Sequence, residues 1–224
     1  MKRYFDDDLK KLNIDILKMA ALVEVAIFRS IEALKNRDKE LAEYVIKNDQ
    51  EIDEMELTIE ENAIDLLALR QPLARDLRFI TTGMKINAEL ERIADLAVNI
   101  AQRVLEIVDK PILKPLIDIP KLNDIARKMV KDVIDAFVNS DEKLAKEVIL
   151  SDSEADRLRN LIQKELINDY MSKDVSTVTR GVPLLLIARQ LERICDHATN
   201  IAEDVIYMVQ AKVVKHHPEM LDKT

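Results

Sequence analysis

Four pairs of acidic residues, Asp49/Asp53, Glu91/Asp95, Asp152/Asp156 and Glu192/Asp196, stand at i and i+4. On a helix this spacing sets both carboxylates on one face, one turn apart. Like charges so placed repel by roughly 0.2–0.5 kcal/mol. Asn99 and Asn200 extend two of these faces by a further turn. Two chemistries suit the pattern. One is a solvated acidic face, partly neutralised by Arg92, Arg193 and nearby lysines; in a chain that is 34% charged, a single pair of this kind arises by chance. The other is a carboxylate cluster for iron, zinc, manganese or magnesium, since oxygen ligands suit hard and borderline cations. Asn99 and Asn200 would then be carbonyl ligands or hydrogen-bond partners of the ligands.

The acids repeat. ERIADLAVNIA (Glu91 to Ala101) returns 101 residues later as ERICDHATNIA (Glu192 to Ala202), identical at eight of eleven positions. At an offset of 103, Asp38, Leu41, Ala42, Val45, Ile46, Asp49, Glu51 and Asp53 fall on Asp141, Leu144, Ala145, Val148, Ile149, Asp152, Glu154 and Asp156, each the same residue type. A repeat of this length is domain-sized, longer than a solenoid unit of roughly 20–50 residues. Whatever the acids do, the chain does twice.

The elements that must position them follow from composition. Aromatics make up 4% of the 224 residues, tryptophan is absent and there are two glycines, which argues against sheets and their turns. Leu, Ile, Ala, Lys and Glu dominate, as in helical bundles. The seam Ile86, Leu90, Ile93, Ala97, Ile100, Val104 and Ile107 recurs as Ile187, Leu191, Ile194, Ala198, Ile201, Val205 and Met208. Its 3–4 spacing is that of helices crossing at a shallow angle. The expected fold is all-α: two tandem, pseudo-repeated three-helix bundles. Residues 1–110 form the first bundle, the proline-containing stretch 111–120 a linker, and 121–224 the second. Helices are expected near 6–36, 39–70, 72–108, 121–139, 142–171 and 175–214, with Pro72 at a helix start and a bend at Gly181 and Pro183. A turn near Gln71 lies about 20 residues after the Asp49/Asp53 pair and about 22 before Glu91/Asp95, so an antiparallel hairpin sets the pairs level. A turn near Lys173 does the same in the second half. Doubling and matched height favour the cation reading for the set as a whole.

Other classes lose ground. The net charge is −8 and no segment concentrates Lys and Arg, which argues against direct nucleic-acid binding. The longest apolar run, Val182 to Ala188, falls far short of a membrane span of about 20 residues. MKRYFDDDLKK lacks an apolar signal core, and one cysteine forms no intrachain disulfide, so a cytoplasmic protein is expected. No P-loop, GxGxxG or GxSxG is present, and no organic cofactor is expected. A ferritin-like di-iron enzyme would use Glu-x-x-His pairs, and His197, His216 and His217 fit none. His197 replaces Leu96 across the repeat, an extra ligand or a surface group; Cys195 replaces Ala94 and reads as a small buried residue. A metal-dependent carboxylate enzyme or a metal-storage bundle stays open beside a non-catalytic regulator, but no base or nucleophile stands apart from the acids.

The twin ERIADLAVNIA and ERICDHATNIA segments resemble the repeated signature of the PhoU family, the phosphate-uptake regulators of bacteria. The Leu77-Arg78 step within QPLARDLRFI and the Asp-x-x-x-Asp of helix two in both halves fit the same pattern. The resemblance covers nearly the whole chain. It implies two three-helix bundles, multinuclear iron or zinc clusters in some members, and negative regulation of phosphate uptake. It implies as partners the ATPase of the phosphate transporter and a sensor histidine kinase. The ligands it carries over are Asp49, Asp53, Glu91, Asp95, Asp152, Asp156, Glu192 and Asp196. Shared apolar faces suggest that the bundles pack together or support a homodimer. The second half departs from the pattern: Val175 to Arg180 stands where the first half has Arg75-Asp76-Leu77-Arg78, which sets the two halves apart in how their sites are loaded.

Overall fold

The computed structural model describes residues 4–213, and His216 and His217 lie outside them. Six long helices run in order: α1 (Tyr4–Asn36), α2 (Lys39–Arg70), α3 (Ala74–Ile107), α4 (Asp118–Asn139), α5 (Glu142–Glu165) and α6 (Val178–Gln210). No strand occurs among the described residues. A π-helical turn, Leu166–Met171, extends α5, and a short 3-10 turn, Val175–Thr177, leads into α6.

The repeat holds at the level of single hydrogen bonds. Asp38 caps α2 by accepting from the Leu41 N–H at 2.9 Å, and its repeat partner Asp141 caps α5 by accepting from Lys143 and Leu144 at 3.0 and 3.1 Å. The preceding residues, Arg37 and Ser140, both turn the chain through the left-handed region at φ 56° and 52°. The next N–H closes each turn, from Asp38 to the Ala33 carbonyl at 2.9 Å and from Asp141 to that of Ala136 at 2.8 Å.

Two local features, at Pro120 and Pro72, depart from the sequence reading. Pro120 lies in the first turn of α4 rather than in the linker; the N–H it lacks would have no intrahelical partner there. Pro183 lies within α6, which runs unbroken from Val178. The proline leaves the Thr179 carbonyl without its i+4 donor, and Lys110 Nζ donates to that oxygen at 3.1 Å. Pro72, in turn, precedes α3, whose N-cap is Leu73.

Each half is a three-helix bundle, and the two share one continuous core. α3 packs on α1 and α2 and also on α6; α6 packs on α4 and α5; α1 packs on α4. Phe79 of α3 stacks on Phe137 of α4, with ring centroids 5.2 Å apart. Gly83 lets α1 come close, since a Cβ there would meet Ile16 Cδ1 at 3.1 Å. The third helix of each half is therefore held on several sides, which fixes the face that carries its acids.

Candidate functional site

The hairpin α2–α3 brings Asp49, Asp53, Glu91 and Asp95 into one patch, and α5–α6 does the same for Asp152, Asp156, Glu192 and Asp196. Mutual electrostatics make the grouping explicit. Partial burial, then the charges of Asp53, Asp95 and Glu91, push Asp49 up to a pKa of about 6. Burial, then Asp196, Asp156 and Glu192, push Asp152 up to about 6 as well. Glu91 is raised by burial and by Asp95, Asp53 and Glu56. Asp196 is raised by burial and by Glu192 and Asp156, against the opposing pull of His197 and Arg193. In each patch the α2 or α5 acid nearer the N-terminus is half-buried, while Asp53, Asp95, Asp156 and Asp196 reach solvent.

The donor set is carboxylate oxygen throughout, which fits a hard or borderline cation. Self-repulsion and partial burial fit the same reading, because a cation would relieve both. The side chains are gathered but not focused: among the described residues no three His, Cys, Asp or Glu side chains converge as a ready-made metal site. Ligation would need rotation of side chains that are already on the correct face.

Neighbouring residues sort themselves differently from the sequence reading in places. Asn200 donates through Nδ2 to Glu89 Oε2 at 3.4 Å, across the halves. Asn99 is half-buried one turn beyond Asp95. His197 Nδ1 lies 2.5 Å from Glu89 Oε2. It is a partly buried partner of the other half, neither a surface group nor turned to the acids beside it. Burial pushes Glu89 up, but the His197 contact, with Asn200 and Arg92, brings it below the usual carboxylate range. Cys195 is fully buried, as expected, and burial plus the second patch above it hold its thiol protonated.

Sequence reasoning missed Arg159. Its Nη2 donates to Glu192 Oε1 at 2.9 Å and stands 3.5 Å from Asp156 Oδ1. The signal was available in the repeat, since Arg159 falls on Glu56 at the same offset that aligns the aspartates. It also missed the pairs that join the halves, Glu89 with His197 and Lys85 with Asp204, the latter at 2.6 Å. Nothing in the spacing along one helix reports such neighbours. Among the described residues no helix is long and apolar enough to cross a membrane.

The same layout occurs in known proteins. The PhoU domain model matches residues 16–104 and again 119–205. A phosphate-specific transport system accessory protein PhoU homolog from Aquifex aeolicus is 41% identical over 209 residues, which are 93% of this chain and 94% of that protein. One of the same description from Zymomonas mobilis is 40% identical over 93% of this chain and 87% of its own. The crystal structure of PhoU from Pseudomonas aeruginosa superposes with a TM-score of 0.89 at 35% identity, covering 93% of this chain and all of that one. The phosphate transport system regulatory protein PhoU from Streptococcus pneumoniae gives 0.88 at 28% identity over 94% of this chain and 99% of that one. Two matches to one domain model, placed on the two carboxylate-bearing halves and carried through nearly the full length of these relatives, make this chain a member of the PhoU family.

Proposed function

We propose that this protein is a negative regulator of phosphate uptake and of phosphate-starvation signalling, acting as a cytoplasmic adaptor on the ATPase of the phosphate transporter and on its sensor histidine kinase. The observation that carries this reading is the match, in both halves, to proteins named as accessory or regulatory components of phosphate transport. The surface supports an adaptor. Ile14, Leu17, Val25 and Phe28 are exposed along the outward side of α1. The repeat positions of Val25 and Phe28 on α4 are Lys128 and Lys131, so the fold itself does not require an apolar residue there. Partner proteins read amphipathic helices of this kind.

The carboxylate patches are proposed to hold metal cations, with iron, zinc, manganese and magnesium as the chemically suited ions. Asp49, Asp53, Glu91 and Asp95 would hold one set, and Asp152, Asp156, Glu192 and Asp196 the other. The bound ion would supply positive charge that cancels the repulsion across each hairpin. The chain's own part is to keep two carboxylates on each of two facing helices at one height, with Asp49 and Asp152 half-buried in their patches.

Deletion in the native host tests the regulator. Phosphate-starvation genes should stay expressed in phosphate-rich medium, and tagged protein should retain the transporter ATPase or the kinase. Unchanged uptake and gene expression, together with turnover of peroxide, oxygen or a phosphoester by the purified metal-loaded protein, would replace this reading by a carboxylate-cluster enzyme.

A further inference from the structure

One position beside the two patches reverses charge. At the offset that aligns α2 with α5, Glu56 of the first half corresponds to Arg159 of the second, each three residues after the outer aspartate of its helix. Glu56 lies close enough to Glu91 for its charge to act on that carboxylate. The first patch therefore presents five acids: Asp49, Asp53, Glu56, Glu91 and Asp95. Arg92, the nearest arginine in sequence, pairs with Glu89 at 3.4 Å and reaches Glu91 only through its charge, against which burial and the acids still hold that carboxyl raised.

The second patch carries its own cation. The guanidinium of Arg159 donates through Nη2 to Glu192 Oε1 at 2.9 Å, stands 3.5 Å from Asp156 Oδ1, and donates through Nη1 to Asn160 Oδ1 at 2.7 Å. The side chains of Arg159 and Glu192 are 27% and 15% exposed, so the contact is partly shielded from water and screening. Arg159 Nε is enclosed with no hydrogen-bond partner. A guanidinium in this place occupies an acceptor that an incoming ion would need, and it repels that ion. A glutamate in the same place adds a donor oxygen and attracts it.

We propose that Arg159 is a built-in counter-cation that closes the second patch to divalent cations, so that the two patches are unequal. The first patch loads from solution; the second loads only when Arg159 is displaced from Glu192. This rests on reading the patches as cation sites, and the test separates the two ideas. The full-length chain is stripped with chelator and titrated with Mn²⁺, with bound ion counted by equilibrium dialysis and helix content followed by circular dichroism. Wild type should show tight binding that the pair Glu91→Gln and Asp95→Asn abolishes. Arg159→Glu should add a second set of ions bound about tenfold or more tightly than the second half of wild type binds them. Arg159→Gln, which removes the cation without adding an acid, should add a weaker set. Glu56→Arg should remove the first set. Equal loading of both halves in wild type, with no change in either Arg159 variant, would overturn the role of Arg159 and leave the metal reading standing. Binding to neither wild type nor either Arg159 variant, all folded, would overturn both.

Discussion

Partial burial among three other carboxylates lifts Asp49 and Asp152 to pKa values of about 6, and the sign of that shift has a consequence for stability. A raised carboxylate favours the protonated form in the folded state. Above about pH 6 both groups are charged in the folded and unfolded chains, and the folded chain alone bears the repulsion. As pH falls through 6 the folded state takes up these protons first, and the penalty declines progressively until the unfolded carboxyls titrate near 3.8. In chelator-treated protein, the double change Asp49→Asn and Asp152→Asn should raise the melting temperature at pH 7.5. The gain should shrink severalfold by pH 4.5, where the folded wild-type pair is largely protonated, and vanish only below about 3.8. A gain that is the same at both pH values would show that charge is not its source. A second residue-scale test concerns Glu89 and His197, whose repeat positions hold Gln190 and Leu96. His197→Leu alone removes the closest partner of a partly buried carboxylate and should cost about 1–2 kcal/mol. Adding Glu89→Gln should recover much of that loss. A double-mutant cycle by denaturant unfolding measures the coupling, and strictly additive effects would mean that the contact between the halves contributes nothing.

At the scale of elements, helix ends were legible because their signals are local. The starts expected near 39 and 142 are the observed ones, and Asp38 and Asp141 cap both helices through their side chains. The level placement of the acids was legible too, because it needs only helix rise and a turn position. That a helix runs through Pro183 was legible from the pattern; what satisfies the carbonyl the proline strips was not. That depends on Lys110, distant in sequence, supplying a donor to Thr179. If so, Lys110→Met should destabilise the chain by about 1 kcal/mol, and the cost should vanish when Pro183→Ala restores the helical N–H. Equal cost in both backgrounds would mean that Lys110 does not serve that carbonyl. The π-helical turn at Leu166–Met171 likewise has no signal in the pattern. The outward side of α1 carries a functional prediction. Ile14→Lys with Val25→Lys should leave helix content and melting temperature nearly unchanged, since both positions are exposed. The pair should weaken association with the transporter ATPase in a purified binding assay. Retained binding would move the docking surface elsewhere.

For the whole molecule, the repeat in the sequence points to two bundles but says nothing of how they meet. A seam of apolar residues on α3 is the same pattern whether the helix faces only its own bundle or also a neighbour. The structure places α3 against α6, with a core that runs through both halves. Side chains of opposite halves are tied together along that contact: Lys85 to Asp204, Glu89 to His197, and Arg78 Nε to the Met208 carbonyl at 3.2 Å. Phe79 and Phe137 stack across the halves as well. The linker is bound at its start by Arg37, which donates to the Val108 and Lys110 carbonyls. Chain connectivity is thus a small part of what joins the bundles. A protease site inserted between Pro111 and Ile117 and then cut should yield fragments that still elute as one particle. That particle should melt in a single transition by circular dichroism at both low and high salt, because the shared core is apolar. Two separate transitions, or fragments that part on dilution without denaturant, would show that the halves are autonomous and that the α3–α6 contact is only a docking of finished domains.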